Sequence, residues 1–230
     1  MSAFTRPICV LAVLLLSVTT FAAEWSGYDS YSELLHGNRR YYEGTNASQA
    51  IARMPTHEEK PHTIVLSCSD LEVAPERVFD LGPGKLFVVR TAGHALSSEV
   101  IASIEYAVDI LGAKLLVVLG HEACGTVKAA LGSTQGRGRR SAHLDQLFAQ
   151  VKAMPQPVRS HVAMTLRELF KKSKIIREEV GNGNLVLAQG IYRLESGKVE
   201  FWDLGEKFIS ETKGWKRKPT GHTPEAAWVK

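Results

Sequence analysis

Short runs of aliphatic and β-branched residues alternate along this chain with longer segments whose apolar residues recur every three or four positions. The short runs are typical of buried strands, and the longer periodicity is typical of helices with one apolar face. We predict three buried strands and a later pair of strands joined by a turn at ESGK. These strands lie in TIVLS at 63–67, KLFVVR at 85–90, KLLVVLG at 114–120 and NLVLAQGIYRLESGKVEFWDLG at 184–205.

The predicted helices lie before, between and after these runs. The segment 97–112 begins with a serine that can cap a helix, and its apolar residues share one face: Val100, Ile104, Ala107, Val108 and Leu111. The other helical segments are 30–44, 124–132, 143–154 and 160–183. This order predicts a single α/β domain with a mostly parallel central sheet flanked by helices, and we place that domain at 24–210.

The first residues resemble a targeting segment, not part of the fold. Arg6 precedes an apolar run, ICVLAVLLLSV, of about eleven residues, which is too short to span a bilayer. Small residues follow, and cleavage after Ala22 or Ala23 would suit signal peptidase. We predict a secretory signal peptide at 1–22, hence a secreted or periplasmic protein without a membrane segment after cleavage. An uncleaved anchor is the alternative.

Composition and charge narrow the class of partner. The chain is 44% apolar and 23% charged, as a folded domain is, and its net charge of +4 is small for 230 residues. This charge does not favour nucleic acid as a partner. The basic stretch 211–230 is predicted to be a flexible, solvated tail.

Candidate metal ligands stand at the ends of two predicted strands. Cys68 follows the first strand, His121 ends the third, and Cys124 comes three residues later, where a helix begins. Sites in parallel α/β sheets lie at the carboxyl ends of strands, and zinc takes thiolate and imidazole ligands. The alternatives are a disulfide, because signal cleavage removes Cys9 and leaves two cysteines in an oxidising compartment, or a buried thiol.

Several motifs resemble the β-class carbonic anhydrases. They are CSD at 68–70, PERVFDLGPGKLFVVRTAGH at 75–94 and SSEVIASIEYAVDILGAKLLVVLGHEACGTVKAAL at 97–131, with ELLHGNRRYYEG upstream and LAQGIYRLESGKV near the end. The resemblance runs from about Ser32 to Leu204 and has its motifs in the family's order.

The resemblance implies a zinc enzyme that hydrates carbon dioxide to bicarbonate and a proton. Zinc would be held by Cys68, His121 and Cys124, and would lower the pKa of bound water so that hydroxide forms near neutral pH. Asp70 would accept a hydrogen bond from that water, and it could also become a conditional fourth ligand that closes the site. The same resemblance implies a homodimer or homotetramer.

The chain departs from the family pattern beside Asp70. The usual Cys-X-Asp-Ser-Arg ends here in Glu72, so the arginine that pairs with the aspartate is replaced by an acid. An unpaired carboxylate about 5 Å from a bound hydroxide, at an effective dielectric of about 20, costs roughly 3 kcal/mol, or about two pK units. We therefore expect slow hydration near pH 7, unless Arg77 or Arg90 reaches Asp70. Alternatively, Glu72 points to solvent and a backbone amide binds the aspartate.

The loop RTAGH supplies the remaining candidates. Ala92 and Gly93 correspond to the family's substrate loop, and Gly93 permits a backbone shape that a side chain would forbid. His94 is a possible proton shuttle; the alternative is a loop histidine that lines a subunit contact. Two further functions stay open: hydrolysis of carbonyl sulfide or carbon disulfide on the same scaffold, and an inert zinc-binding homologue.

Overall fold

The computed structural model describes residues 25–45, 60–70, 74–132, 141–151 and 157–203. Five strands and seven helices lie in this part of the chain, together with a 3₁₀ turn at Ala92–His94. The strands are β1 Thr63–Cys68, β2 Leu86–Thr91, β3 Leu115–His121, β4 Val186–Tyr192 and β5 Val199–Asp203. The helices are α1 Gly27–Tyr42, α2 Pro75–Val78, α3 Ser98–Asp109, α4 Gly125–Ala130, α5 Ala142–Gln150, α6 Pro157–Lys172 and α7 Lys174–Gly181.

The strands form one sheet in the order β2-β1-β3-β4-β5. The first four are parallel, and β5 runs antiparallel to β4 after the predicted turn. In this register Ser67 pairs with Leu119, and His121 pairs with Tyr192. Cys68 and His121 therefore end their strands at the same edge of the sheet, as the sequence predicts.

The neighbouring strands β1 and β3 are buried on both faces, which explains their continuous aliphatic sequences. Successive side chains point to opposite faces of the sheet. Leu66 and Val118 pack in a core with α3, α6 and α7, whereas Val65 and Val117 pack in a second core with α1 and α2. The predicted fold, an α/β domain with helices on both sides of a mostly parallel sheet, is confirmed.

The predicted helix at 160–183 is wrong as a single element, because it is two helices. Ser173 adopts an extended backbone conformation between α6 and α7, with φ −96° and ψ 118°. Its hydroxyl accepts the Ile176 N–H at 3.1 Å, which caps α7. The same hydroxyl donates to Glu105 of α3 at 2.5 Å. A capping serine thus divides a segment whose apolar periodicity predicted one continuous helix.

The predicted signal peptide at 1–22 and tail at 211–230 lie outside the described residues. So do parts of the predicted domain at 24–210, the end of the 143–154 helix and the last two residues of the 184–205 strand segment. Helix α5 is described as far as Gln150. Among the helices that are described, none has the length and apolar character needed to cross a membrane.

Candidate metal centre

The two cysteines and the histidine come together at the carboxyl edge of the sheet. Cys68, His121 and Cys124 are all buried, and with Asp70 they offer four ligand atoms that lie within 4.8 Å of one another. The sulfur atoms of Cys68 and Cys124 are 3.7 Å apart, so the two residues are free thiols and form no disulfide.

This sulfur separation allows a test of whether the donor set fits zinc. Two thiolates at the usual Zn–S distance of 2.3 Å in a tetrahedral site would be about 3.8 Å apart. The observed 3.7 Å agrees with that value. The Nε2 of His121 faces the same point, since it lies 2.7 Å from the Asp70 oxygen that also contacts Cys68. The residues therefore fit a soft divalent ion held by two sulfurs and one imidazole.

A tight turn carries the chain from His121 to Cys124. Ala123 has φ +55°, a left-handed conformation that costs a non-glycine residue about 1 kcal/mol. Its neighbour Glu122 holds the turn from outside: the carboxylate accepts from Arg193 Nη1 at 2.7 Å and from the Leu194 N–H at 3.0 Å. This support was missed in the sequence, because Arg193 is 71 residues away and forms no recognisable motif with Glu122.

The thiols of the two cysteines affect each other's ionisation. A hydrogen bond from Cys124 is the main cause that lowers the pKa of Cys68, and its effect outweighs that of burial, which raises the pKa. The backbone N–H of Gly93 also donates to the Cys68 sulfur at 3.0 Å. The pKa of Cys124 is raised, first by its hydrogen bond to Cys68 and then by burial. The two shifts are opposite in direction because the sulfurs share a hydrogen bond, and two adjacent thiolates would repel each other unless a cation lay between them.

Asp70 lies among the three candidate ligands. Its Oδ1 accepts from the Cys68 thiol at 2.5 Å and from His121 Nε2 at 2.7 Å, and its Oδ2 accepts from the Gly125 N–H at 2.7 Å. Burial raises the pKa of this carboxyl, but the hydrogen bonds from Cys68, Gly125 and His121 outweigh burial and lower it overall. Asp70 is therefore a carboxylate at the position expected of a conditional fourth ligand.

Neither candidate arginine pairs with Asp70 in the described part of the chain. Arg90 instead donates to the backbone carbonyls of Cys68 and Ser69, each at 3.2 Å. The carboxylate is bound by a backbone amide, as one of the sequence-based alternatives expected. Glu72 itself lies outside the described residues.

The RTAGH loop forms the 3₁₀ turn beside Cys68. Gly93 has φ +61°, and a Cβ at this position would lie 2.9 Å from Cγ2 of Thr126. His94 is buried, with its ring stacked on that of His161 at a centroid distance of 4.4 Å. The pKa of His94 lies well below its usual value, and the largest cause is burial, which disfavours the charged ring. The role of His94 as a proton shuttle stays a prediction.

Two cavities lie beside this turn rather than over the candidate metal ligands. The larger, of about 550 Å³, is bounded by α5 and α6 and includes His161 and Thr165 in its wall. The smaller, of about 430 Å³, is lined by Ala92 and by residues of α5. Neither wall contains Cys68, His121 or Cys124.

A mostly parallel sheet that gathers two cysteines and a histidine at its carboxyl edge defines an α/β protein with a set of donors suited to zinc. The sequence model of the carbonic anhydrase family matches residues 63–199. Carbonic anhydrase 2 of Mycobacterium tuberculosis is 32% identical over 190 residues, which cover 76% of this chain and 92% of that relative. The carbonic anhydrase of Mycolicibacterium smegmatis is 34% identical over 207 residues, covering 77% and 96%. The chain belongs to the carbonic anhydrase family, in its β class.

Solved structures of the class have the same fold. The β-carbonic anhydrase of Aspergillus fumigatus matches with a TM-score of 0.57 at 22% identity, covering 80% of this chain and 96% of that one. A Coccomyxa β-carbonic anhydrase in complex with acetazolamide matches with a TM-score of 0.55 at 22% identity, covering 79% and 97%. At these identities the likeness supports the fold alone.

Proposed function

We propose that the protein is a zinc-dependent carbonic anhydrase that converts carbon dioxide and water to bicarbonate and a proton. The observation that carries this proposal is the convergence of Cys68, His121 and Cys124, with sulfur atoms 3.7 Å apart, in a chain of this family. Zinc bound there would supply a water of lowered pKa as the nucleophile.

Other residues around the candidate ligands are proposed to hold them in place or to contact the reacting groups. The Gly93 N–H on the Cys68 sulfur and the Glu122–Arg193 pair hold the ligands in place. Asp70 can accept a hydrogen bond from the reacting water, because its carboxyl has a lowered pKa and stays ionised at neutral pH. Ala92 and Gly93 are proposed to border the substrate, and His94 to pass the proton onward.

Slow hydration at neutral pH is part of the proposal. Asp70 makes hydrogen bonds to Cys68 and His121, and within the described residues it lacks an arginine partner that would hold it away from them. The Asp70 side chain is 38% exposed, so further solvent screening reduces the two pK units expected at an effective dielectric of about 20 to about one. We expect hydration to rise with pH through the alkaline range.

The test is stopped-flow hydration of carbon dioxide from pH 7 to 9, with zinc measured in the same samples. Glu72→Arg should increase the rate at pH 7 and lower the apparent pKa of the rate profile. Glu72→Gln is the matched control, because it removes the acidic charge without supplying a pairing cation, and it should change the profile less. A fully zinc-loaded protein without hydration at any pH would refute the proposal.

That refuting outcome would favour the inert zinc-binding homologue, for which the position of Asp70 among the ligands is the specific support. Hydrolysis of carbonyl sulfide or carbon disulfide is checked by offering these gases to the same zinc-loaded sample. A homodimer or homotetramer is proposed from the family, and a relative in Sordaria macrospora is described as tetrameric. Secretion or a periplasmic location is proposed from residues 1–22 alone.

A further inference from the structure

His161 on α6 reaches the 3₁₀ turn next to the metal centre. Its Nε2 lies 2.6 Å from the backbone carbonyl oxygen of Gly93. A carbonyl oxygen only accepts, so Nε2 carries the proton and donates it. The other ring nitrogen, Nδ1, is buried and has no hydrogen-bond partner among the described residues. Burial also lowers the pKa of His161, which favours the neutral ring over the doubly protonated one.

Gly93 connects this histidine to a metal ligand. Its N–H donates to the Cys68 sulfur at 3.0 Å, while its carbonyl accepts from His161. The two bonds lie on either side of one α-carbon in a left-handed conformation. Because both sides of Gly93 are fixed, the direction of its N–H toward the sulfur depends on the bond to its carbonyl.

The ring of His161 is itself held in position. It stacks on His94 at 4.4 Å with an angle of 24° between the ring planes. Thr165 lies one turn further along α6, and its hydroxyl is 3.3 Å from Nδ1 of His94. Helix α6 therefore contacts the turn at Gly93 and at His94, so the turn cannot shift without disturbing both contacts.

We propose that His161 is a positioning residue for the metal centre, which directs the Gly93 N–H onto the Cys68 sulfur by donating Nε2–H to the Gly93 carbonyl. This role rests on the proposed zinc function. A hydrogen bond to a metal thiolate orients the sulfur and withdraws electron density from it, and loss of such an outer contact typically costs ten- to a hundredfold in metal affinity.

The test compares two substitutions that separate the donor from the ring. His161→Phe keeps a flat ring against His94 but removes the N–H, whereas His161→Gln keeps an N–H donor at a similar reach without the ring. Zinc affinity is measured by chelator competition, and the sulfur-to-metal charge-transfer band is recorded after cobalt substitution. We expect His161→Phe to weaken zinc binding by about ten- to a hundredfold and to move the band to lower energy. His161→Gln should remain near the unchanged protein.

A purely structural role predicts a different pattern. If His161 only stabilises the fold, His161→Phe lowers the urea midpoint but leaves the affinity and the band unchanged, which would overturn the proposal. A His161→Gln protein that behaves like His161→Phe would also overturn it, since the N–H would then not be the decisive feature. Failure of the unmodified protein to bind zinc or cobalt would refute the proposed function and this role together.

A measurement on the unmodified protein does not depend on whether a variant folds. Nitrogen NMR of the imidazoles should show His161 protonated at Nε2 and bare at Nδ1. A bare Nε2 would exclude donation to Gly93 and would overturn the role.

Discussion

A methyl group added at Gly93 should destabilise the turn that contacts Cys68. The residue has φ +61°, where an alanine costs about 1 kcal/mol relative to glycine. The new Cβ would lie 2.9 Å from Cγ2 of Thr126 and 3.4 Å from its Cβ, so one of the two side chains must shift. Overpacking of this kind costs about 1–3 kcal/mol.

An effect on the unfolded chain partly offsets these two costs, the left-handed strain and the overpacking. Replacing glycine by alanine reduces the conformational freedom of the unfolded state and contributes about 0.4–1 kcal/mol in favour of folding. We therefore expect Gly93→Ala to lower the free energy of unfolding of the zinc-loaded protein by about 1–3 kcal/mol. Urea unfolding followed by circular dichroism, at constant free zinc, measures this change.

Thr126→Ser provides the matched control, because it removes Cγ2, the atom nearest to the added Cβ. In that background Gly93→Ala should cost about 1 kcal/mol less than in the unchanged protein, since the steric part is relieved and the left-handed strain remains. Gly93→Ala that leaves stability unchanged would refute the reasoning about the turn. Equal costs in the two backgrounds would refute the contact with Thr126.

Three further outcomes are expected. Cys124→Ser should weaken zinc binding by more than about a hundredfold in chelator competition, because a ligand costs more to lose than an outer contact; near-normal affinity would exclude Cys124 as a ligand. Burial lowers the folded pKa of His94 and His161, so the unfolded chain binds more protons below about pH 6.5 and stability should fall as pH drops, by up to about 1.4 kcal/mol per pH unit for each histidine. Urea midpoints from pH 8 to 5.5 check this slope, which His161→Gln should reduce. Arg193→Leu should cost about 1 kcal/mol in urea unfolding, because it removes two partly exposed ion pairs, one with Glu122 and one with Glu200. Arg193→Lys should retain part of this stability, and an Arg193→Leu protein of unchanged stability would show that the turn does not depend on Arg193.

Strands β1 and β3 could be predicted because a strand that is buried on both faces has a recognisable sequence pattern. Strands β1 and β3 are buried on both faces, which demands continuous aliphatic residues, and the predicted runs match them to within one residue. Cys68 and His121 then fall at one sheet edge, since parallel strands end on the same side. The convergence of the candidate metal ligands could therefore be predicted from topology and residue type together.

The supports of the site could not be predicted in the same way. His161 contacts Gly93 across 68 positions, and Arg193 contacts Glu122 across 71. Such contacts depend on how α6 and the end of β4 pack against the edge of the sheet, and hydrophobic periodicity carries no information on which polar atoms then meet. Ser173 was missed for a related reason: its cap is a local polar effect within an otherwise continuous helical pattern.

Because of Asp70, we expect that the proposed ligand set alone does not determine the rate of hydration. The carboxylate accepts a hydrogen bond from the Gly125 N–H, and each of the three candidate ligands also contacts it: Cys68, His121 and, at 3.7–3.8 Å, Cys124. An arginine pair would add a cation on the outer side and favour the direction away from the ligands. In the described part of the chain the Gly125 amide is the one donor to Asp70 that is not itself a candidate ligand, and a neutral donor holds a carboxylate less strongly than a guanidinium does. We therefore expect the replacement of that arginine by Glu72, rather than the geometry of Cys68, His121 and Cys124, to set the pH range in which the enzyme works.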